Sequence, residues 1–241
     1  MKIAVIVPIR NEEGNIARLL GAFASSPLDP SSVFLIEGNS IDGTFETLLK
    51  QNEAYGNKFQ VLRQSFIGKF GATRTFLQTE KSNQFTHVFI WDSDLTIPIE
   101  DNLRLLAVSG ANPEAFVTGS RLISSIKNRS MPALNFLGNC IFSLIWSVAM
   151  KTRPLDILCG SKIALISDLK SLPREILDSD YYGDICLLFS AVINKRKFLS
   201  QKVNYVKRSY GLSNIKPFSG GSRITWAMLS CFRFRYRTVR D

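Results

Sequence analysis

The chain has 241 residues, 45% of them hydrophobic and 21% charged, which gives material for a sizeable core and excludes a disordered or fibrous protein. Four cysteines, Cys140, Cys159, Cys186 and Cys231, stand far apart without a CxxC pair, which excludes a zinc knuckle, a disulfide scaffold and a thioredoxin-type motif. The net charge of +10 is concentrated: residues 195–240 carry 12 Lys or Arg and no acid, leaving 18 basic and 19 acidic residues in 1–194. Such a block suits an anionic partner, either lipid headgroups or a phosphorylated substrate. Nucleic acid is not expected, because no helix-turn-helix, zinc-finger or RNA-binding signature accompanies the basic residues.

In chain order, IAVIVP (3–8) is a short apolar, strand-like run. Pro8 and Arg10 break it before it reaches signal-peptide length and no small-residue cleavage site follows, so a cytoplasmic protein is the expectation. The turn after it, PIRNEEGN, lacks GxGxxG and speaks against a nicotinamide enzyme. NIARLLGAFA then carries helical spacing. VFLIEG (33–38) is a second strand, and IEGNSIDGT takes Glu37 out of it into a Gly-Asn-Ser turn. Ser40 or Asp42 has the residue type that caps the next helix, GTFETLLKQNEA. Glu37, a carboxylate at a strand end, suits hydrogen bonds from a base edge or ribose hydroxyls. FQVLRQ (59–64), the helical GATRTFLQTEK and the strand THVFIWD (86–92) continue the alternation. The pattern predicts an α/β fold with a mainly parallel central sheet and helices on both faces, ligands binding beyond the carboxyl ends of the strands. The single histidine, His87, falls inside the fourth apolar run and reads as structural, which leaves no Ser-His-Asp triad.

That fourth strand runs into Asp92 and Asp94. Side chains at i and i+2 of an extended segment point the same way, so both carboxylates face one cation. Hard oxygen ligands suit Mg²⁺ or Mn²⁺, with the open positions left to water and the oxygens of a substrate diphosphate. A more irregular second half begins near VTGSRL (117–122). No repeat, low-complexity tract or linker divides the chain, so one domain is expected over 1–221, with halves 1–121 and 122–221, followed by a basic aromatic tail, 222–241. LNFLGNCIFSLIWSVAM (134–150) is the most hydrophobic segment, but its 17 residues fall short of the ~20 that span a bilayer. Asn135, Asn139, Ser143 and Ser147 recur every four residues and draw a polar stripe down a helix that is either packed in the core or laid in a membrane interface. The tail, ITWAMLSCFRFRYRTVR, interleaves Trp226, Phe232, Phe234 and Tyr236 with arginines, and as helix or strand it suits a membrane surface.

Together these segments resemble the family 2 inverting glycosyltransferases of the GT-A fold, in particular the branch similar to dolichyl- and polyprenyl-phosphate sugar synthases. The resemblance rests on VPIRNEEGNI, EGNSIDGT, GKFGATR, WDSDL, TGSR, LDILCGSKIAL and KRSYGLSNIK, seven motifs in the family's order spanning nearly the whole chain. It implies a nucleotide-sugar site built from Pro8, Arg10, Asn11 and Glu12, from Glu37, Asn39 and Asp42, and from Lys69 and Arg74. It also implies a catalytic, metal-holding pair in Asp92 and Asp94. Asp184, in YYGDICLL, lies in roughly the region of the family's base-bearing Glu-Asp motif. Several positions depart from the pattern and leave the donor nucleotide open. Glu37 and Gly38 replace an Asp pair, Thr96 stands where Gln is common, Lys162 replaces an aromatic-Arg pair, and Asn214 and Ile215 lengthen the last Ser-Lys spacing.

Acceptor chemistry turns on basicity. A lipid monophosphate, with a second pKa of about 6, is ionised near neutral pH and needs no base. A sugar hydroxyl, nearer the ~15.7 of water, needs a carboxylate such as Asp184. Arg121, Arg129, Arg208 and Lys216 are the cations expected to grip an acceptor phosphate. The expectation is a metal-dependent transferase that moves a sugar from a nucleoside-diphosphate donor to polyprenyl phosphate while peripheral on the inner face of a membrane. Its rivals are a glycan-extending transferase with Asp184 as base, and a non-catalytic membrane-binding scaffold that keeps the fold.

Overall fold

Successive Val, Ile and Phe residues give each strand of the first half two apolar faces, which buries a parallel sheet between helical layers. The strands are β1 (Ile3–Ile9), β2 (Val33–Glu37), β3 (Gln60–Arg63) and β4 (His87–Ile90). Ala4 and Ile6 pack to one side with Phe34, Ile36, Val88 and Ile90, while Val5, Val7 and Ile9 pack to the other with Val33, Leu35 and Phe89. Helices α1 (Ile16–Ala24), α2 (Thr44–Ala54) and α4 (Ile99–Ala111) cover the second of these faces, and α3 (Phe70–Leu77) covers the first. This computed structural model describes residues 1–241 except 123, 125–130, 209, 212–216 and 239–241.

The chain continues with β5 (Phe116–Ser120), and the second half supplies α5 (Ala133–Met150), β6 (Lys162–Leu165), α6 (Ile166–Lys170), α7 (Arg174–Ser179), α8 (Asp184–Ile193), β7 (Phe198–Lys202) and α9 (Pro217–Thr238). All seven strands form one sheet in the order β3-β2-β1-β4-β6-β5-β7. β6 runs antiparallel to both its neighbours and the other pairings are parallel. The start of β6 therefore shares a rim with the carboxyl ends of the parallel strands. Lys162, its first residue, lies level with Ile90 at the end of β4. β5 belongs to the first half by sequence but sits between β6 and β7 in space.

One expectation needs correction. β4 stops at Ile90, so the strand pleat does not align Asp92 with Asp94. The chain turns there instead, with Leu95 at φ 53° and the Asp94 carboxylate accepting from the Thr96 N–H (3.1 Å) and hydroxyl (2.9 Å). The segment 134–150 is a helix as expected, but its polar stripe faces inward: Asn139 and Ser143 are buried with Trp146 and Met150, while Leu144 and Val148 are exposed. The tail is helical rather than extended. His87 is buried at the end of β4 away from the rim, its ring bonded to the Thr86 hydroxyl (2.8 Å) and the Pro113 carbonyl (2.7 Å).

Candidate active site

The loops after β1 and β2 are laced together. Asn11, at φ 53°, donates its N–H to Ser40 Oγ (3.0 Å) and accepts from the Ile41 N–H (3.0 Å), and the Glu12 N–H donates to Thr44 Oγ1 (2.9 Å). Next to this lacing a cavity of about 530 Å³ opens at the sheet rim. Gly68 closes one side of it. At φ 88° only glycine is unstrained there, and an added Cβ would stand 2.5 Å from the Tyr181 carbonyl.

Two acids and their counter-charges organise the wall. Asp92 Oδ1 lies 2.5 Å from Lys69 Nζ. Burial alone would push the Asp92 carboxyl up, but the Lys69 ammonium, joined by the Arg121 and Lys162 charges, outweighs it and holds the pKa below the ordinary carboxylate value. Burial works equally against the charged Lys69, which the Asp92 and Asp184 carboxylates nonetheless hold above its usual pKa. Asp94 goes the other way: burial first, then the neighbouring Asp92 charge, raises its carboxyl. Arg208 joins Asp94 to Glu12. Its Nη1 is 3.8 Å from Asp94 Oδ2, and its Nη2 pairs with Glu12, a buried acid whose pKa burial raises.

The donor set fits a hard divalent cation that draws its other ligands from substrate and water. Among the described residues no group of three or more Asp, Glu, His or Cys is placed to hold a metal ion by itself. Gly160 leaves space for one of these carboxylates, since an added Cβ would stand 1.9 Å from Asp92 Oδ2.

Residues of the second half take part in two buried ion pairs. Lys162 is fully buried and donates to Asp184 Oδ1 and the Cys159 carbonyl. Asp184 opens α8, and the loop before it is fixed by Asp180, whose carboxylate accepts from the N–H groups of Tyr182, Gly183, Ile185 and Cys186 at 2.8–3.0 Å. Arg121 donates Nε and Nη2 to Asp156 at 2.9 Å each, and Asp156 also accepts the Arg121 N–H (3.0 Å) and Asn139 Nδ2 (2.6 Å).

Of the residues singled out in the sequence, Pro8, Arg10, Asn11, Glu12, Lys69, Asp92, Asp94, Arg121, Asp184 and Arg208 line this cavity. Four do not. Glu37 is buried and accepts the Ser40 N–H (2.6 Å), so it holds its own turn rather than facing a base. Asn39, at φ 57°, and Asp42, which accepts the Thr44 N–H (3.1 Å) at the start of α2, shape the same loop. Arg74 is drawn to Asp178 (2.8 Å) and stacks on Phe66, in a neighbouring hollow. Arg129 and Lys216 lie outside the described residues. The sequence reading missed Gln64, Tyr181, Tyr182, Tyr205 and Arg223 on the wall. The paired tyrosines, separated from Asp184 by Gly183 alone, were the available signal. Gln64 gave none, because its role is to bind the loop carbonyls of Phe66 and Gly68.

Among the described residues, a seven-stranded sheet with one reversed strand, and a rim that gathers paired acids into a cavity, is the architecture of the GT-A fold. The chain belongs to glycosyl transferase family 2, whose family model matches residues 4–179. It is similar to glucosyl-3-phosphoglycerate synthase from Mycobacterium tuberculosis solved with uridine diphosphate (TM-score 0.67, 18% identity, 96% of this chain and 80% of that one). The same enzyme with Mn²⁺, UDP-glucose and glycerol 3-phosphate gives a TM-score of 0.66 at 20% identity over 95% and 79% of the two chains. Mannosyl-3-phosphoglycerate synthase from Rubrobacter xylanophilus gives 0.70 at 13% identity over 98% and 75%. No curated protein matches the sequence with significance. These solved structures bear the names of phosphoglycerate-directed enzymes rather than of the polyprenyl-phosphate branch.

Proposed function

We propose that the protein transfers a sugar, with inversion, from a nucleoside-diphosphate sugar to a phosphate-bearing acceptor, polyprenyl phosphate being the acceptor the sequence motifs favour. The observation that carries this reading is the meeting of Asp92, Asp94, Lys69 and Arg208 on one wall of a nucleotide-sized cavity. The laced first and second turns would seat the nucleoside, with Asn11 and Glu12 facing it. Lys69 and Arg208 would offset the negative charge that gathers on the departing diphosphate, in a cleft where few waters compete. Mg²⁺ or Mn²⁺ held by Asp92 and Asp94 would add positive charge at that same leaving group. The presence of Mn²⁺ and UDP-glucose in a solved relative supports both assignments, while its glycerol 3-phosphate, which offers hydroxyls as well as a phosphate, fits either acceptor chemistry.

Asp184 favours a second reading, transfer to a hydroxyl with this carboxylate as base, because it lies on the cavity wall. Against it, one of its oxygens is already held by Lys162. The two readings part on Asp184→Asn, which cripples hydroxyl-directed transfer and spares transfer to phosphate.

The test of the main reading combines binding and turnover. Uridine diphosphate with Mn²⁺ should raise the melting temperature, by an amount equivalent to about 2.7 kcal/mol at a hundredfold excess over Kd. Asp92→Asn with Asp94→Asn should cut turnover about 10²–10³-fold while the fold, read by circular dichroism, stays intact. Unchanged turnover would end the assignment.

A further inference from the structure

α5 is built the reverse way round from an ordinary surface helix. Its polar stripe is the buried side: Asn139, 1% exposed, donates to Asp156, and Ser143 accepts the Ile157 N–H (3.4 Å). Its apolar side is the outer one, where Leu134, Leu137, Leu144 and Val148 are 57–73% exposed. α9 runs beside it, held by the Trp146 and Phe232 rings at 6.1 Å and by Arg235 Nη1 on the Met150 carbonyl at 2.8 Å. α9 adds exposed Trp226 and Leu229, and Arg233 and Arg237 are exposed on the same helix. Water-soluble monomers rarely expose apolar patches of more than a few hundred Å², and a larger one marks a surface that meets something apolar.

We propose that the outer face of the α5–α9 pair docks on the surface of an anionic lipid bilayer, its apolar side chains entering the headgroup–acyl boundary and its arginines pairing with lipid phosphates. Charge selects this occupant over a second copy of the chain. Neither α5 nor α9 holds an Asp or Glu, and α9 exposes Arg233 and Arg237, so a like copy would bring cations against cations, while an anionic surface complements them. The 18-residue α5 lies on the bilayer rather than crossing it, because Asn139, Trp146 and Met150 tie its other side into the core. The proposal deepens the transferase reading and rests on it for its purpose, since a docked face brings a lipid-borne acceptor to the cavity. Its physical claim is read without turnover.

The test is flotation of the full chain with phosphatidylcholine vesicles, with and without added phosphatidylglycerol. Wild type should float with the anionic vesicles, and less so at high salt. Leu144→Glu with Val148→Glu should cut the bound fraction at least about tenfold, with the melting temperature unchanged because both positions are exposed. Absence of flotation, equal flotation of the variant, or a wild-type dimer that the double substitution turns into monomer would each overturn the proposal. Uridine diphosphate binding, followed by thermal shift on the same samples, separates the two claims. Its loss with flotation intact would count against the transferase reading alone.

Discussion

Asp156 shows how much of the site depends on one buried charge. It is completely buried and gathers four donors from Arg121 and Asn139, linking the end of β5 to α5. Burial pushes its carboxyl up, but the Arg121 charge and the hydrogen bonds from Arg121 and Asn139 together outweigh burial and hold the pKa below the ordinary value. A depressed acid stabilises the fold fully above its unfolded pKa of ~3.9, and that contribution disappears as pH falls through the lower folded value. Asp156→Asn should therefore cost about 3–5 kcal/mol at neutral pH, by leaving Arg121 buried without its carboxylate. In urea unfolding, the gap between wild type and variant should narrow below about pH 4. The motif around Asp156 was legible in the sequence, but its partner was not. Arg121 was read there as a phosphate grip, and only the folded chain brings its Nε and Nη2 onto a carboxylate 35 residues away. Lys69 and Asp92 repeat the lesson: each stood out by its motif, while the ion pair between them depends on how two loops fold back over the rim.

Elements were easier to find than to orient. The period of four in Asn135, Asn139, Ser143 and Ser147 located α5 nearly to its ends, since spacing fixes which side chains share a helix face. Which face turns inward depends on partners, and a polar stripe is buried only where something such as Asp156 satisfies it. Asn139→Leu should thus cost about 1–3 kcal/mol through the lost donor to Asp156. Val148→Lys, an apolar residue made charged, should change stability by no more than ~0.5 kcal/mol. Chemical denaturation of the two variants checks the orientation, and the reverse ranking would mean that the helix is turned. The end of β4 was misjudged for a related reason. Apolar Trp91 continues the strand pattern, but the turn that Asp94 makes with Thr96 overrides it. α9 was open between helix and strand because alternating Arg and aromatic residues satisfy both periods, and packing of Ile224, Ala227, Met228 and Cys231 into the core settles it as a helix.

At the scale of the molecule, four strands alternating with three helices announced the parallel part of the sheet, and seven ordered motifs announced the family. The arrangement of the second half was not legible. β6 is only four residues long and reverses direction, and nothing local in KIAL says which neighbours it will join. The place of β5 between β6 and β7 has a practical consequence. The boundary near residue 121 separates motifs along the chain but is no seam in space. Fragments 1–121 and 122–241, expressed apart, should each be left with bare strand edges and precipitate or stay unfolded. Refolded as a mixture, they should regain the circular dichroism of the intact chain, and independent folding of either piece would contradict this. The polypeptide is braided across its own midpoint, so no shorter ancestor or truncated derivative lacking β6 and β7 should keep a working half.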